Sequence, residues 1–155
     1  MSVIDISYEI EEQKGWVSEA FVEKALTAIT RHLNLEGSEI SCSFVSNETI
    51  QNLNKDYRNL DQVTDILSFN QSWDENFKIE LESELLGDIV ISLEATKQNC
   101  IDFEVDFKEE LLRVLIHGVL HLTGLDHATN NNDEPMLQQQ EEILVWLQKE
   151  SLGEI

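Results

Sequence analysis

The chain has 155 residues, enough for one domain that buries a hydrophobic core without disulfide staples. Thirty-one acidic against ten basic side chains give a formal charge of −21. This argues against a broad nucleic-acid or anionic-membrane surface, although screening over roughly 8 Å at physiological salt leaves room for a local basic spot.

The opening MSVIDISYEI alternates Ile4, Ile6 and Tyr8 with polar residues, which predicts a strand with one solvated face and not a signal or transit peptide. Ser18 can cap a helix in which Phe21, Val22, Ala25, Leu26, Ile29 and Leu33 recur at helical spacing. His32, beside Arg31, is a favourable helix-end residue. Ile40, Cys42 and Phe44 alternate as a second strand, and Asn47 can cap a short helix carrying Ile50, Leu53, Asn54 and Tyr57. Asp65 to Phe69 and Asp88 to Ser92 are short apolar runs that read as buried strands, and the polar, acidic stretch from Asn70 to Glu84 reads as a loop. Leu93 to Cys100 reads as a helix, and Phe107 to Leu122 as a strongly apolar helix central to the core. Ala128 to Asp133 reads as a second loop, before a last helix with Pro135 in its first turn and Met136, Ile143, Leu144 and Leu147 facing inward. No apolar run is long enough to cross a bilayer. Cys42 and Cys100 read as small buried hydrophobes of a reducing cytoplasm, not as a disulfide or metal pair. No repeat or linker divides residues 1–155, so the expectation is one α+β or mixed three-layer domain with about four strands.

Three of the four histidines fall within HGVLHLTGLDH, His117 to His127. His117 and His121, four apart on a helix, point from one face with Cβ atoms about 5–6 Å apart. Gly124 suits the left-handed conformation that ends a helix, so the chain can turn and bring His127 to the same ion. Three neutral imidazoles with a fourth position left open is the plan of a catalytic zinc. The spacing also matches the metzincin pattern HExxHxxGxxH, but Gly118 stands where a protease carries its general-base Glu. The metal cage is present and the protease base is missing.

HGVLHLTGLDH is similar to HGxLHLxGxDH, the signature of the YbeY family of metal-dependent endoribonucleases. LNKDYRNLDQVTDILSF (Leu53 to Phe69) resembles that family's LNxxYRxxDxPTDVLSF, and LGDIVIS (Leu86 to Ser92) its GDIxIS strand. Glu134, Met136 and Glu141 to Leu144 resemble its acidic stretch and closing helix. Val63 and Asn70 stand where that family often has Pro, and Leu125 where Tyr is common. The resemblance covers nearly the whole chain. It implies a zincin-like α+β fold, a mixed four-stranded sheet packed with about five helices. It also implies one zinc ion per chain, held by His117, His121 and His127, in a cytoplasmic, single-strand-specific endoribonuclease. The expected substrate is rRNA precursor, in maturation of the 16S 3′ end and ribosome quality control, with the small ribosomal subunit as partner and neither DNA nor membrane.

The resemblance further implies a functional role near the metal for Arg58. A guanidinium can hold two phosphoryl oxygens as negative charge builds on them, although the residue alone would fit a surface arginine paired with Asp56 or Asp61. Lys55, one helical turn away, is a candidate RNA contact. Asp65 and Asp126, and less so Asp88, are candidates to accept the second ring N–H of a ligand histidine, although each also fits a turn or strand-start position. No residue identifies itself as general base. Two other readings stay open: a metal-dependent hydrolase of another substrate, and a zinc-stabilised, non-catalytic ribosome-assembly factor.

Overall fold

Alternation of Ile4, Ile6 and Tyr8 with solvent-facing residues builds the edge strand β1 (Val3–Tyr8). The fold is described here from a computed structural model covering residues 3–70, 84–127, 129, 131 and 133–155. After a 3₁₀ turn at Glu11–Gly15 comes α1 (Glu19–His32), capped by Ser18, whose hydroxyl accepts from the Phe21 N–H. The 3₁₀ turn escapes a sequence reading because EEQKG carries no apolar period, although Gln13 is buried within it. The remaining elements are β2 (Ser38–Val45), α2 (Asn47–Arg58), β3 (Ile66–Asn70), β4 (Glu84–Ser92), α3 (Leu93–Phe103), α4 (Phe107–Leu122) and α5 (Pro135–Leu147). Among the described residues, four strands and five α-helices make the expected α+β fold.

The strand order is β1-β2-β4-β3. The first three run parallel, and β3 pairs antiparallel with β4, Leu67 opposite Val90 and Phe69 opposite Asp88. Two expectations shift. β3 is an edge strand with only Leu67 fully buried, and β4 is interior and starts four residues before its apolar run. That extension follows from pairing: Ser38 and Glu39 of β2 continue the ladder to Glu84 and Leu85 across a bulge. The cap of α2 is Ser46, not Asn47. Ser46 leaves β2 in extended backbone and accepts from the Thr49 N–H, while Asn47 Oδ1 takes the Ser92 hydroxyl at 2.6 Å. Residues 71–83, the body of the first expected loop, lie outside the described residues, as do Ala128, Asn130 and Asn132 of the second.

The period of two in β2 and β4 divides the core between the sheet's faces. Ile40, Cys42, Phe44, Ile89 and Ile91 join α1, α4 and α5 in the main cluster, while Val45, Leu67 and Val90 face Ile50 and Leu53 of α2. Helix α4 carries Leu111, Leu112, Leu115, Ile116, Val119 and Leu120 fully or almost fully buried. At about 1.5–3 kcal/mol for each large apolar side chain, this burial makes α4 the best-anchored helix and a rigid platform for what it displays. Among the described residues, no helix is long and apolar enough to cross a membrane.

Candidate metal centre

Helix α4 faces the core on one side and presents His117 and His121 from the other, one turn apart. The helix stops at Thr123, whose backbone N–H bonds back to the last turn and whose hydroxyl donates to Leu120 O at 2.6 Å. Gly124 follows with φ +95°, the left-handed conformation expected of it. The reversed chain carries His127 back, with its own N–H donating to Asp126 Oδ1 at 2.8 Å. The three imidazoles gather: ring centroids are 4.5, 5.3 and 5.6 Å apart, and one nitrogen from each lies within 4.8 Å of the others.

The second ring nitrogens are also engaged. His121 Nδ1 lies 3.0 Å from Leu125 O and His127 Nδ1 2.9 Å from Thr129 O. Carbonyl oxygens only accept, so both Nδ1 atoms carry the proton and both Nε2 atoms keep a lone pair. Thr129 is itself held by Glu134, whose Oε1 accepts from the Thr129 amide and hydroxyl. His117 Nδ1 lies 2.7 Å from Gln140 Oε1 on α5. The group meeting each of these Nδ1 atoms is therefore neither Asp65 nor Asp126. Asp126 accepts the backbone N–H of His127, and Asp65 accepts from Asn99 Nδ2 at 3.1 Å. Two of the three orienting groups are backbone carbonyls, which no sequence pattern announces, and the third is a glutamine thirteen residues beyond the histidine motif.

Electrostatics favour ligands in the neutral form. Burial, and then the nearby imidazoles, hold His117 and His121 below the usual histidine pKa. Asp65 is pushed up, chiefly by burial, while the exposed Asp126 is drawn down chiefly by the hydrogen bond from the His127 backbone N–H, with the Arg58 charge adding to it.

The residues fit a metal ion. His117 Nε2 and His121 Nε2 face each other at 3.0 Å. With Nδ1 protonated these are two lone pairs in contact, an arrangement that a cation relieves. Tetrahedral coordination at 2.0–2.1 Å puts ligand nitrogens roughly 3.4 Å apart, inside the 3.0 to 4.8 Å spread of this trio. An all-imidazole set suits a borderline transition metal and not calcium or magnesium.

The trio opens on a cleft of about 710 Å³ whose far wall includes Tyr57, Arg58, Ser68 and Phe69. Arg58 ends α2; Asn59, at φ +57°, turns the chain, and Asn54 secures the following loop by donating from Nδ2 to Gln62 O at 3.0 Å. Among the described residues, Arg58 makes no ion pair with Asp56 or Asp61, and Asp61 instead accepts from Gln51 at 3.0 Å. Its charge acts on Asp126 across the cleft. Lys55 is exposed on the same helix but does not line the cleft. Strand β3 is fastened to α4 by Ser68 Oγ to Gly118 O (3.4 Å) and Asn70 Nδ2 to Leu122 O (2.9 Å). Gly118 does more than lack a protease base: a side chain there would enter the helix–sheet interface against Ile66 and Ile89.

The family model for endoribonuclease YbeY matches residues 6–148. A Treponema denticola protein named endoribonuclease YbeY is 43% identical over 143 residues, covering 92% of this chain and 91% of its own. The Clostridioides difficile protein of the same name is 39% identical over 145 residues, 91% and 95% of the two chains. Among solved structures, the solution structure of a Thermotoga maritima protein superposes with a TM-score of 0.61 at 26% identity, over 94% of this chain and 89% of that one.

Proposed function

The chain belongs to the endoribonuclease YbeY family, and from that premise we propose that it cleaves single-stranded rRNA precursor at the 16S 3′ end, with zinc as its metal. The observation that carries the reading is the convergence, on one cleft, of three metal-competent imidazoles and the Arg58 guanidinium, which has no ion pair among the described residues. His117, His121 and His127 would hold the zinc through Nε2. Bound there, the ion supplies Lewis-acid chemistry at a phosphate oxygen.

The chain's own groups supply position and charge. Hydrolysis adds a water oxygen to phosphorus and releases one ester oxygen, and negative charge builds on the non-bridging oxygens meanwhile. The Arg58 fork can donate to two of those oxygens side by side, in a cleft walled by Phe69 and Ile66. Tyr57, Phe69 and Leu125 give the cleft apolar surface suited to splayed bases, which a single strand offers and a duplex does not. With a charge of −21, the protein has no broad basic surface to gather RNA, so a docking partner fits the reading, and the small ribosomal subunit, in the cytoplasm, is the one proposed.

The test uses a short single-stranded RNA ending in the 16S 3′ precursor sequence and a matched duplex. Cutting of the single strand with zinc, sparing after chelation, and loss in His121→Ala are expected. Equal cutting of the duplex, or cutting that survives chelation, overturns the proposal.

A further inference from the structure

Adjoining the first cleft, and sharing His117 and His127 with it, is a second of about 440 Å³ that reaches between α4 and α5. A chain of polar contacts leads through it. Arg113 of α4 donates from Nε to Glu141 Oε2 at 3.0 Å and from Nη2 to Glu141 Oε1 at 3.1 Å. Gln140 Nε2 donates to Glu141 Oε2 at 3.2 Å, and Gln140 Oε1 faces His117 Nδ1 at 2.7 Å. Gln140 is 7% exposed, so its carboxamide is buried enough to need partners for both ends, and the contacts to His117 and Glu141 supply them.

The order of these contacts settles a proton. An amide could present either end to His117, and a neutral imidazole could carry its hydrogen on either nitrogen. The Glu141 carboxylate only accepts, so the Gln140 NH₂ must face it and the Gln140 oxygen must face His117. An oxygen at 2.7 Å from Nδ1 requires the hydrogen on Nδ1. The Nε2 lone pair is thereby committed to the cleft. Arg113 fixes Glu141, and burial costs the Arg113 charge less than its hydrogen bonds to Glu141 and Glu110 return, so the guanidinium's pKa lies above its ordinary value.

We infer that Gln140 and Glu141 are positioning residues of the metal centre: Glu141 sets the direction of the Gln140 carboxamide, and Gln140 holds His117 in the tautomer that ligates. His121 and His127 need no such device because backbone carbonyls orient them. The remote side chains serve only the ligand that the exit turn does not reach. The inference rests on the three-histidine metal centre and is indifferent to the substrate.

Two readouts test it. In metal-free protein, long-range ¹H–¹⁵N spectra report the tautomer of His117. The Nδ1–H form is expected in wild type and in Gln140→Glu, whose carboxylate also only accepts. Gln140→Met, similar in volume but without an acceptor, is expected to shift toward Nε2–H. In the second readout, competition with a chromophoric chelator gives zinc affinity. Gln140→Met should weaken it about 10–100-fold, and Gln140→Glu should leave it at least as tight as wild type. Glu141→Ala closes the argument as a cycle. It should weaken zinc several-fold when Gln140 is present, because the amide is then free to flip. It should change little in the Gln140→Glu background, where there is nothing to flip. Equal losses in both backgrounds would mean that Glu141 acts only as a nearby charge. An unshifted tautomer in Gln140→Met, or equal weakening by Gln140→Met and Gln140→Glu, would reduce Gln140 to packing. Wild type that binds no zinc would sink the metal centre itself, while the tautomer result would still stand.

Discussion

Ile66 Cδ1 lies 2.7 Å from the point where a Cβ on Gly118 would sit, with two atoms of Ile89 at 3.1 and 3.2 Å. The residue after His117 is therefore glycine for a packing reason: it lets α4 lie close on β3 and β4. Gly118→Ala should destabilise the fold by about 1–3 kcal/mol through overpacking. Gly87→Ala should cost more, because its Cβ would meet Phe69 O at 2.3 Å and its φ is +147°. Urea unfolding of both variants checks the order. A neutral Gly118→Ala would mean that the Ile66 methyl swings aside and that the roughly 1 kcal/mol Ala gains over Gly within a helix offsets the remaining crowding.

Purified protein should carry one zinc per chain, and His121→Ala should lose it, as read by elemental analysis. Because α4 is anchored by its buried apolar face and not by the ligands, chelated protein should keep most of its helical circular dichroism. Global unfolding on chelation would instead favour an assembly factor whose zinc is structural.

Arg58 ends its helix without an ionic partner among the described residues, so its removal should cost little stability. Cleavage by Arg58→Ala should fall on the order of 10²–10³-fold, by analogy with loss of one oxyanion-hole donor. Arg58→Lys should recover little, since a point charge lacks the planar fork. Unchanged cleavage by Arg58→Ala would remove the residue from the mechanism.

Binding of a short single strand to chelated protein should depend only weakly on salt. Each phosphate neutralised on a single strand contributes about −0.7 to the slope of log K against log salt, so contacts from Arg58 alone or with Lys55 give roughly −0.7 to −1.4. A much steeper slope would mean that more cationic groups than Arg58 and Lys55 engage the strand.

Cys42 supplies an alkaline prediction. Burial pushes its thiol from 9.0 up to about 12. The folded-state pKa is raised, so the neutral thiol's contribution is complete below pH 9 and is lost as pH rises from there toward 12. By pH 10 the loss is about 1.4 kcal/mol, and a Cys42→Ala variant does not suffer it. Urea melts at pH 8 and pH 10 should therefore show the gap between wild type and variant narrowing by that amount. A constant gap would mean that the unfolded chain also shields the thiol.

Much of this molecule is legible in its sequence, in proportion to how local the determining physics is. The apolar period of Phe107 to Leu122 marks the bounds of α4, and the spacing of His117, His121, Gly124 and His127 marks the cage, because both are properties of adjacent turns. Where tertiary pairing decides, the reading slips. Ser46 and Asn47 are both good caps, and only the exit angle of β2 and the nearness of Ser92 assign the capping to one and the bridging to the other. The extra length of β4 is imposed by its neighbour β2. Chemistry alone points to aspartates as orienting partners of the histidines, but the fold uses two backbone carbonyls and Gln140.

All three imidazoles come from one helix and the turn that ends it, a span of eleven residues. That compactness bears on mass action. Metal stabilises a native state only to the extent that the denatured chain binds it less well, and a denatured chain keeps these histidines close neighbours whatever its global shape. What unfolding scatters is the remote support: Gln140 and Glu141 on α5, and Arg58 across the cleft. Saturating zinc should therefore raise the unfolding free energy by less than its native-state affinity alone implies. The shortfall measures how much of the cage is already written into a short peptide.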